Sequence, residues 1–148
     1  MNRYSTFLRA TLATGVAAAA LTGCGMMSSS STATFTGTLN GASEVPPNMT
    51  SGSGSATASL DKNTNLLKYK VTYSGLTGPA TAAHFHGPAA AGANAGVVIP
   101  FANPASPIEG QVTLNSAQAA DLLAGKWYVN IHTAANAAGE IRGQMLPR

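Results

Sequence analysis

The feature that most restricts the fold of this chain is the alternation of apolar and polar residues in segment 67–73. Every second position is apolar or aromatic, and lysine or threonine stands between. Successive side chains of a β-strand point to opposite faces, so this pattern predicts a half-buried antiparallel strand. Similar runs, separated by clusters of Gly, Pro, Asn and Ser, cover 34–39, 54–60, 80–86, 96–101, 108–114, 126–133 and 140–146. About eight such strands predict an all-β fold, an antiparallel Greek-key-like β-sandwich or a flattened barrel.

One segment between the last strands has a helical pattern instead. Asn115 or Ser116 can cap an alanine- and leucine-rich run, and Gly125 can end it. We therefore expect one short helix near 116–124. Its expected role is to close one end of the sandwich.

The N-terminus has the pattern of a secretion signal. Arg3 and Arg9 lie in a short basic region, and the apolar run from Ala10 to Leu21 is too short to span a membrane. The run ends in Leu21-Thr22-Gly23-Cys24, which resembles the bacterial lipobox. The resemblance implies a lipoprotein signal peptide over 1–23 and lipid acylation of Cys24.

Three regions follow from this interpretation. After the signal peptide 1–23, residues 24–32 form the acylated cysteine and a flexible tether, and residues 33–148 form the folded domain. Gly25, rather than aspartate, follows the cysteine, and by resemblance to Gram-negative lipoproteins this favours the outer membrane. We expect an outer-membrane-anchored lipoprotein that faces the periplasm or the cell surface.

Charge and cysteine content exclude several function classes. Arg3 and Arg9 leave with the signal, so six of the eight basic residues remain against five acidic ones. This nearly neutral domain has no basic stripe with interleaved aromatics, and we expect no nucleic-acid partner. Cys24 is the only cysteine. Once it is acylated, the domain can form neither a disulfide nor a thiolate metal site nor a catalytic thiol.

The residues best suited to chemistry are the three histidines. His84 and His86 share one face of a predicted strand, with Phe85 on the other, and His132 follows the apolar residue Ile131 on another strand. All three imidazoles should therefore face away from the apolar interior, and together they suit zinc or copper. Without thiolates or a dense carboxylate cluster, a closed structural zinc site, calcium and iron–sulfur are disfavoured. The alternative is that the histidines only pack or lie on unrelated surfaces.

Across Phe35 to Leu146 the chain resembles the CHRD domain, a module named from chordin and also found in bacterial secreted proteins. The resemblance is carried by the segments Leu39-Asn40-Gly41-Ala42-Ser43-Glu44-Val45-Pro46-Pro47, Ala83-His84-Phe85-His86-Gly87-Pro88, Tyr128-Val129-Asn130-Ile131-His132-Thr133 and Gly139-Glu140-Ile141-Arg142-Gly143-Gln144. This family is better known as a domain than as an activity. The resemblance therefore implies a fold and a location more than a function.

A second resemblance is to the copper–zinc superoxide dismutases. Leu67 through Gly75-Leu76-Thr77 to His84-Phe85-His86 is similar to the strand, turn and His-x-His strand that supply two copper ligands there. By the same resemblance His132 corresponds to another copper ligand, and Arg142 to the arginine that attracts superoxide. The sequence has no counterpart of the bridging histidine, the zinc-loop ligands or the intrachain disulfide. The resemblance thus implies copper but no zinc site.

Two hypotheses of different classes follow. In the first, a lipid-anchored domain binds one copper ion through the three histidines and acts in copper handling or superoxide dismutation, with a copper donor or acceptor, or superoxide, as its partner. Arg142 would then guide the anion; its alternative role is a surface salt bridge with Glu140 or Glu109. In the second hypothesis the domain is a non-catalytic binding or structural module of the envelope with no metal, and the histidine rings lie apart.

Overall fold

The computed structural model of the protein describes Met1 and residues 31–148. The cleavage site, the acylation of Cys24 and most of the tether lie outside the described residues and stay predictions. Within the described part, no helix combines the length and apolar character needed to cross a membrane.

The described chain folds into antiparallel strands, as the alternation predicted, and these strands form one sheet. Its strands are β1 (Thr32–Asn40), β2 (Ser53–Asp61), β3 (Leu66–Ser74), β4 (Ala80–His86), β5 (Val97–Pro100), β6 (Ile108–Thr113), β7 (Trp127–Thr133) and β8 (Ile141–Pro147). Their order across the sheet is β5-β4-β7-β8-β1-β2-β3-β6. All eight predicted strands are present, and the all-β prediction is confirmed.

The sheet curls into a half-barrel, and its concave side holds the core. Tyr69 of β3 contacts Phe85 of β4 edge-on at 5.2 Å between ring centroids, although these strands lie near opposite ends of the sheet. Phe101, just after β5, stacks on Tyr69 at 4.9 Å. One contiguous apolar cluster therefore joins the two halves of the sheet.

The helix α1 (Ser116–Leu123) connects β6 to β7, as predicted. Asn115 is its N-cap: the side chain accepts from the backbone N–H of Gln118, whose own side chain accepts from the Asn115 N–H. This reciprocal pair satisfies two amides that a helix start leaves free. Ala119 and Leu122 are buried in the core cluster, and Gly125 follows the helix with φ of 68°, where glycine is favoured.

The convex side of the sheet is covered over β4, β7 and β8. Residues 87–96, which we call the covering segment, leave β4 and return to β5 across this side, and their ends are joined by the bond from Gly87 N to Gly96 O. Gln144 of β8 donates to the carbonyl of Ala89 at 3.0 Å. Two polar residues on the convex side, His86 and Arg142, are therefore enclosed between sheet and loop and are 8% and 2% exposed.

Candidate metal centre

Strand alternation brings the three histidines to the same convex side. Phe85 and Ile131 are 1% and 0% exposed and lie in the core, so their neighbours point outward. Strands β4 and β7 are adjacent, with Ala82 opposite His132 and His84 opposite Asn130. The prediction that the imidazoles face away from the apolar interior is confirmed. His84 and His132 are half-buried, whereas His86 is 8% exposed.

The three rings converge on one point. One nitrogen from each ring lies within 4.8 Å of those of the other two. His84 Nδ1 lies 3.1 Å from His132 Nε2. The separated rings expected of a domain without a metal site are therefore not found.

Backbone carbonyls fix which nitrogen of two histidines carries the hydrogen. His86 Nδ1 lies 3.0 Å from the Ala95 oxygen, and His132 Nδ1 lies 3.0 Å from the Ala137 oxygen. A carbonyl oxygen only accepts, so each Nδ1 must donate, and in the neutral ring each Nε2 keeps its lone pair. The lone pair of His86 Nε2 is buried and has no hydrogen-bond partner.

Burial and neighbouring charges lower the pKa values of His84 and His86, which favours their neutral form. Burial lowers the pKa of His84, and the neighbouring His132 and His86 lower it further. Burial also lowers the pKa of His86, and this exceeds the raising contributions of its bond to Ala95 and of the nearby Asn130 side chain; His132 and Arg142 lower the pKa further. A neutral imidazole is the form that binds a metal ion.

This group of nitrogen atoms fits a single transition-metal ion. Three nitrogen ligands that each lie about 2.0 Å from a central ion in one plane are about 3.5 Å from one another. This is close to the 3.1 Å between His84 Nδ1 and His132 Nε2. Hydrogen bonds from ligand histidines to backbone carbonyls are the usual outer contacts of such sites. Imidazole ligands are compatible with zinc or copper, so the geometry alone shows a possible metal site without identifying the metal.

Arg142 lies on β8 beside this group, but it is not a surface residue. Its side chain is 2% exposed, its Nη1 donates to Asn94 Oδ1 at 2.9 Å, and its Nη2 donates to the Ala93 oxygen at 2.5 Å. The alternative of a surface salt bridge is wrong, because the covering segment encloses the guanidinium. Its two suggested partners are engaged elsewhere, Glu109 with Lys70 at 2.7 Å and Glu140 with threonines. Anion guidance by Arg142 stays a prediction.

Tyr128 belongs to this environment, although the sequence reasoning did not single it out. Its ring stacks on that of His86 with 4.8 Å between centroids and an interplanar angle of 2°. The guanidinium carbon of Arg142 lies 3.4 Å from the centre of the same ring. The alternation in β7 carried the signal, because position 128 has the same parity as His132 and so points to the same side.

A second residue that sequence reasoning missed is the fully buried Glu140. Its carboxylate accepts from the hydroxyls of Thr50, Thr77 and Thr133 at 2.7, 2.7 and 2.5 Å and from the Thr77 N–H at 2.8 Å. Burial would raise the pKa of Glu140, but these four hydrogen bonds outweigh it and lower the pKa to about 2. The carboxylate thus ties the end of β7, next to His132, to two loops.

Glu44 is the other buried acid on the convex side, and it is 4% exposed. Burial raises the pKa of Glu44 to about 7, against opposing contributions from Arg142 and from hydrogen bonds to Val45 and Asn130. One of its oxygens, Oε1, has no hydrogen-bond partner. The folded protein therefore carries an acid that is costly to ionise.

We expect Glu44→Gln to remove a loss of stability that the native protein suffers between pH 4.5 and 7. The folded pKa lies above the unfolded one, so the favourable contribution of Glu44 is complete below about pH 4.5 and is lost as the pH rises through 7. The loss amounts to about 3 kcal/mol, and glutamine, which does not ionise, avoids it. Urea unfolding at pH 5 and pH 8 measures the difference.

The control for this experiment is Glu109→Gln, because the Glu109 side chain is 61% exposed. It should follow the pH dependence of the native protein within about 0.5 kcal/mol. Parallel pH profiles of Glu44→Gln and the native protein would contradict the assignment.

The fold belongs to a known domain family. The family description of the CHRD domain matches residues 35–145. The chain belongs to the CHRD domain family. Comparisons with curated proteins and with solved structures found no match. Membership of this family does not define an activity, so the function must be argued from the site itself.

Proposed function

We propose that this protein binds one copper ion through His84, His86 and His132. The observation that carries the proposal is the buried lone pair of His86 Nε2, which has no hydrogen-bond partner, on a ring that offers one nitrogen within 4.8 Å of a nitrogen of each of the other two rings. A buried acceptor without a partner costs about 1–3 kcal/mol. A bound ion would remove that cost.

Copper is favoured over zinc by the chemistry of the ligands. The group consists of three imidazoles and includes neither carboxylate nor thiolate. For sites of a given nitrogen donor set, divalent copper binds more tightly than any other first-row divalent ion, zinc included. A set of three nitrogens also leaves a coordination position open.

The function we propose for the bound ion is copper handling or superoxide dismutation. Copper supplies one-electron chemistry when bound. His84 and His132 are half-exposed, so the centre is accessible to a copper donor or acceptor, or to a small anion. The positive charge of Arg142 would favour an anion over a neutral molecule.

The location we propose follows from the N-terminal sequence. Residues 1–23 would be removed and Cys24 acylated, which would hold the domain at the outer membrane, facing the periplasm or the cell surface. A lipid anchor and a short tether would keep a copper centre in the envelope.

Metal titration of the full chain carrying Cys24→Ser tests the proposal. That substitution removes the only thiol, which would otherwise bind copper itself. We expect one copper ion per chain by calorimetry and by the copper absorption and paramagnetic resonance spectra, with weaker binding of zinc. Failure to bind copper, or tighter binding of zinc, would overturn it. A superoxide assay on the loaded protein then separates dismutation from copper handling.

One observation favours the second candidate, a non-catalytic envelope module without metal. His84 Nδ1 and His132 Nε2 are at hydrogen-bonding distance, 3.1 Å, so these two rings satisfy each other without an ion. In that case copper should leave the melting temperature of the protein unchanged. A bound ion would instead raise it, because ligands that bind only the folded state stabilise it.

A further inference from the structure

A stack of three side chains lies beneath the covering segment. β7 runs between β4 and β8, and Tyr128 of β7 contacts His86 of β4 on one side and Arg142 of β8 on the other. The two rings and the guanidinium restrict one another's rotation, because tilting one of these flat groups would bring it into steric clash with its neighbour.

The backbone of Ala95 joins this stack to the histidine. The Ala95 oxygen accepts from His86 Nδ1 at 3.0 Å and from the Tyr128 hydroxyl at 3.3 Å. The Ala95 N–H lies 3.1 Å from the same hydroxyl. Tyr128 therefore holds the peptide group that fixes the tautomer of His86.

Arg142 fixes the two preceding residues of the covering segment. It donates to the Ala93 oxygen and to the Asn94 side chain, and Asn94 donates in turn to the Val45 oxygen at 3.2 Å. These bonds use the planar fork of the guanidinium while its face lies on Tyr128. A lysine could supply the charge but neither the fork nor the flat face.

We propose that Tyr128 and Arg142 are positioning residues of the metal centre, which act on His86 through the covering segment and Ala95. The inference rests on the proposed copper site. It gives Arg142 a role through its shape and its hydrogen bonds, in addition to any attraction of anions through its charge. Removing an outer contact that orients a ligand histidine typically weakens metal binding about 10- to 100-fold.

Tyr128→Phe tests the first half of this proposal, because phenylalanine keeps the stacked ring and loses only the hydroxyl. We expect copper binding to weaken by about 10-fold or more, with a changed paramagnetic resonance spectrum. The matched control is Tyr73→Phe, which removes a hydroxyl that donates to the Pro104 oxygen at 2.7 Å, outside the histidine group. Equal affinity and equal spectra in Tyr128→Phe and Tyr73→Phe would overturn the proposal.

Arg142→Lys tests the second half and separates shape from charge. If Arg142 positions His86, lysine fails to rescue, and copper affinity falls by about 10-fold or more while the net charge is unchanged. Native affinity and spectrum in Arg142→Lys would show that charge suffices and would overturn the role of Arg142. This failure differs from failure of the copper site itself, in which the native chain with Cys24→Ser would not bind copper at all.

Discussion

Replacing His86 by alanine should weaken copper binding by more than about 100-fold, a larger effect than that of losing an outer contact. His86 supplies the buried Nε2 lone pair, and no other residue joins the histidine group within the described part of the chain. Calorimetry with copper, on the chain carrying Cys24→Ser, measures the change. His84→Ala and His132→Ala should act in the same direction, because the three nitrogens form one site.

The fold should survive this substitution, which makes the binding result interpretable. His86 lies on the convex side, outside the apolar cluster, so its removal should cost about 1–2 kcal/mol of unfolding free energy, chiefly through the lost contact with Tyr128. Gln111→Ala, at an exposed position of the edge strand β6, is the control and should bind copper as the native protein does. Unchanged copper binding by a folded His86→Ala protein would remove the basis of the proposed function.

Replacing Glu140 by alanine should have the largest effect on stability, a loss of about 3–5 kcal/mol of unfolding free energy. The substitution leaves three threonine hydroxyls and one backbone N–H without the buried acceptor they share, and the loss is greatest at Thr133, which is 1% exposed. Chemical denaturation at pH 7 measures the loss. Glu109→Ala, which breaks only the exposed pair with Lys70, should cost no more than about 1 kcal/mol. Similar losses in the two variants would contradict this role of Glu140.

We also expect Glu140 to make the protein lose stability in acid. The folded pKa of Glu140, about 2, lies below the unfolded value of 4.5, so its stabilisation is complete above about pH 4.5 and is lost as the pH falls towards 2. The loss amounts to about 3 kcal/mol. Glu140→Gln should be less stable at neutral pH and should show a correspondingly smaller slope between pH 4.5 and 2. An unchanged acid slope in Glu140→Gln would show that other groups dominate acid unfolding.

Much of the fold could be predicted because its determinants are local. Alternation fixes which side of a strand is apolar, and the cap at Asn115 and the stop at Gly125 delimit α1 from neighbouring residues alone. The same locality explains the success with the histidines. Each of the three follows or precedes a core residue, so its side of the sheet is determined by the strand pattern even before the pairing of strands is known.

The burial of Arg142 and Glu140 could not be predicted from local sequence patterns. Alternation placed Arg142 outward, and an outward arginine on a sheet is usually solvated. It is buried here because the covering segment, distant in sequence, crosses over β8 and supplies its acceptors. Glu140 is likewise enclosed by threonines from two separate loops and the end of β7.

The sequence by itself determined an eight-stranded all-β domain, its short helix, and the common outward side of His84, His86 and His132. Only the tertiary structure decided that β4 and β7 are neighbours, that the three rings meet, and that carbonyls of Ala95 and Ala137 orient two of them. The physical reason is the separation along the chain of the residues that determine each property. Strand periodicity is set by adjacent residues, whereas the burial of a polar group and its hydrogen-bond partners depend on which distant loop covers it.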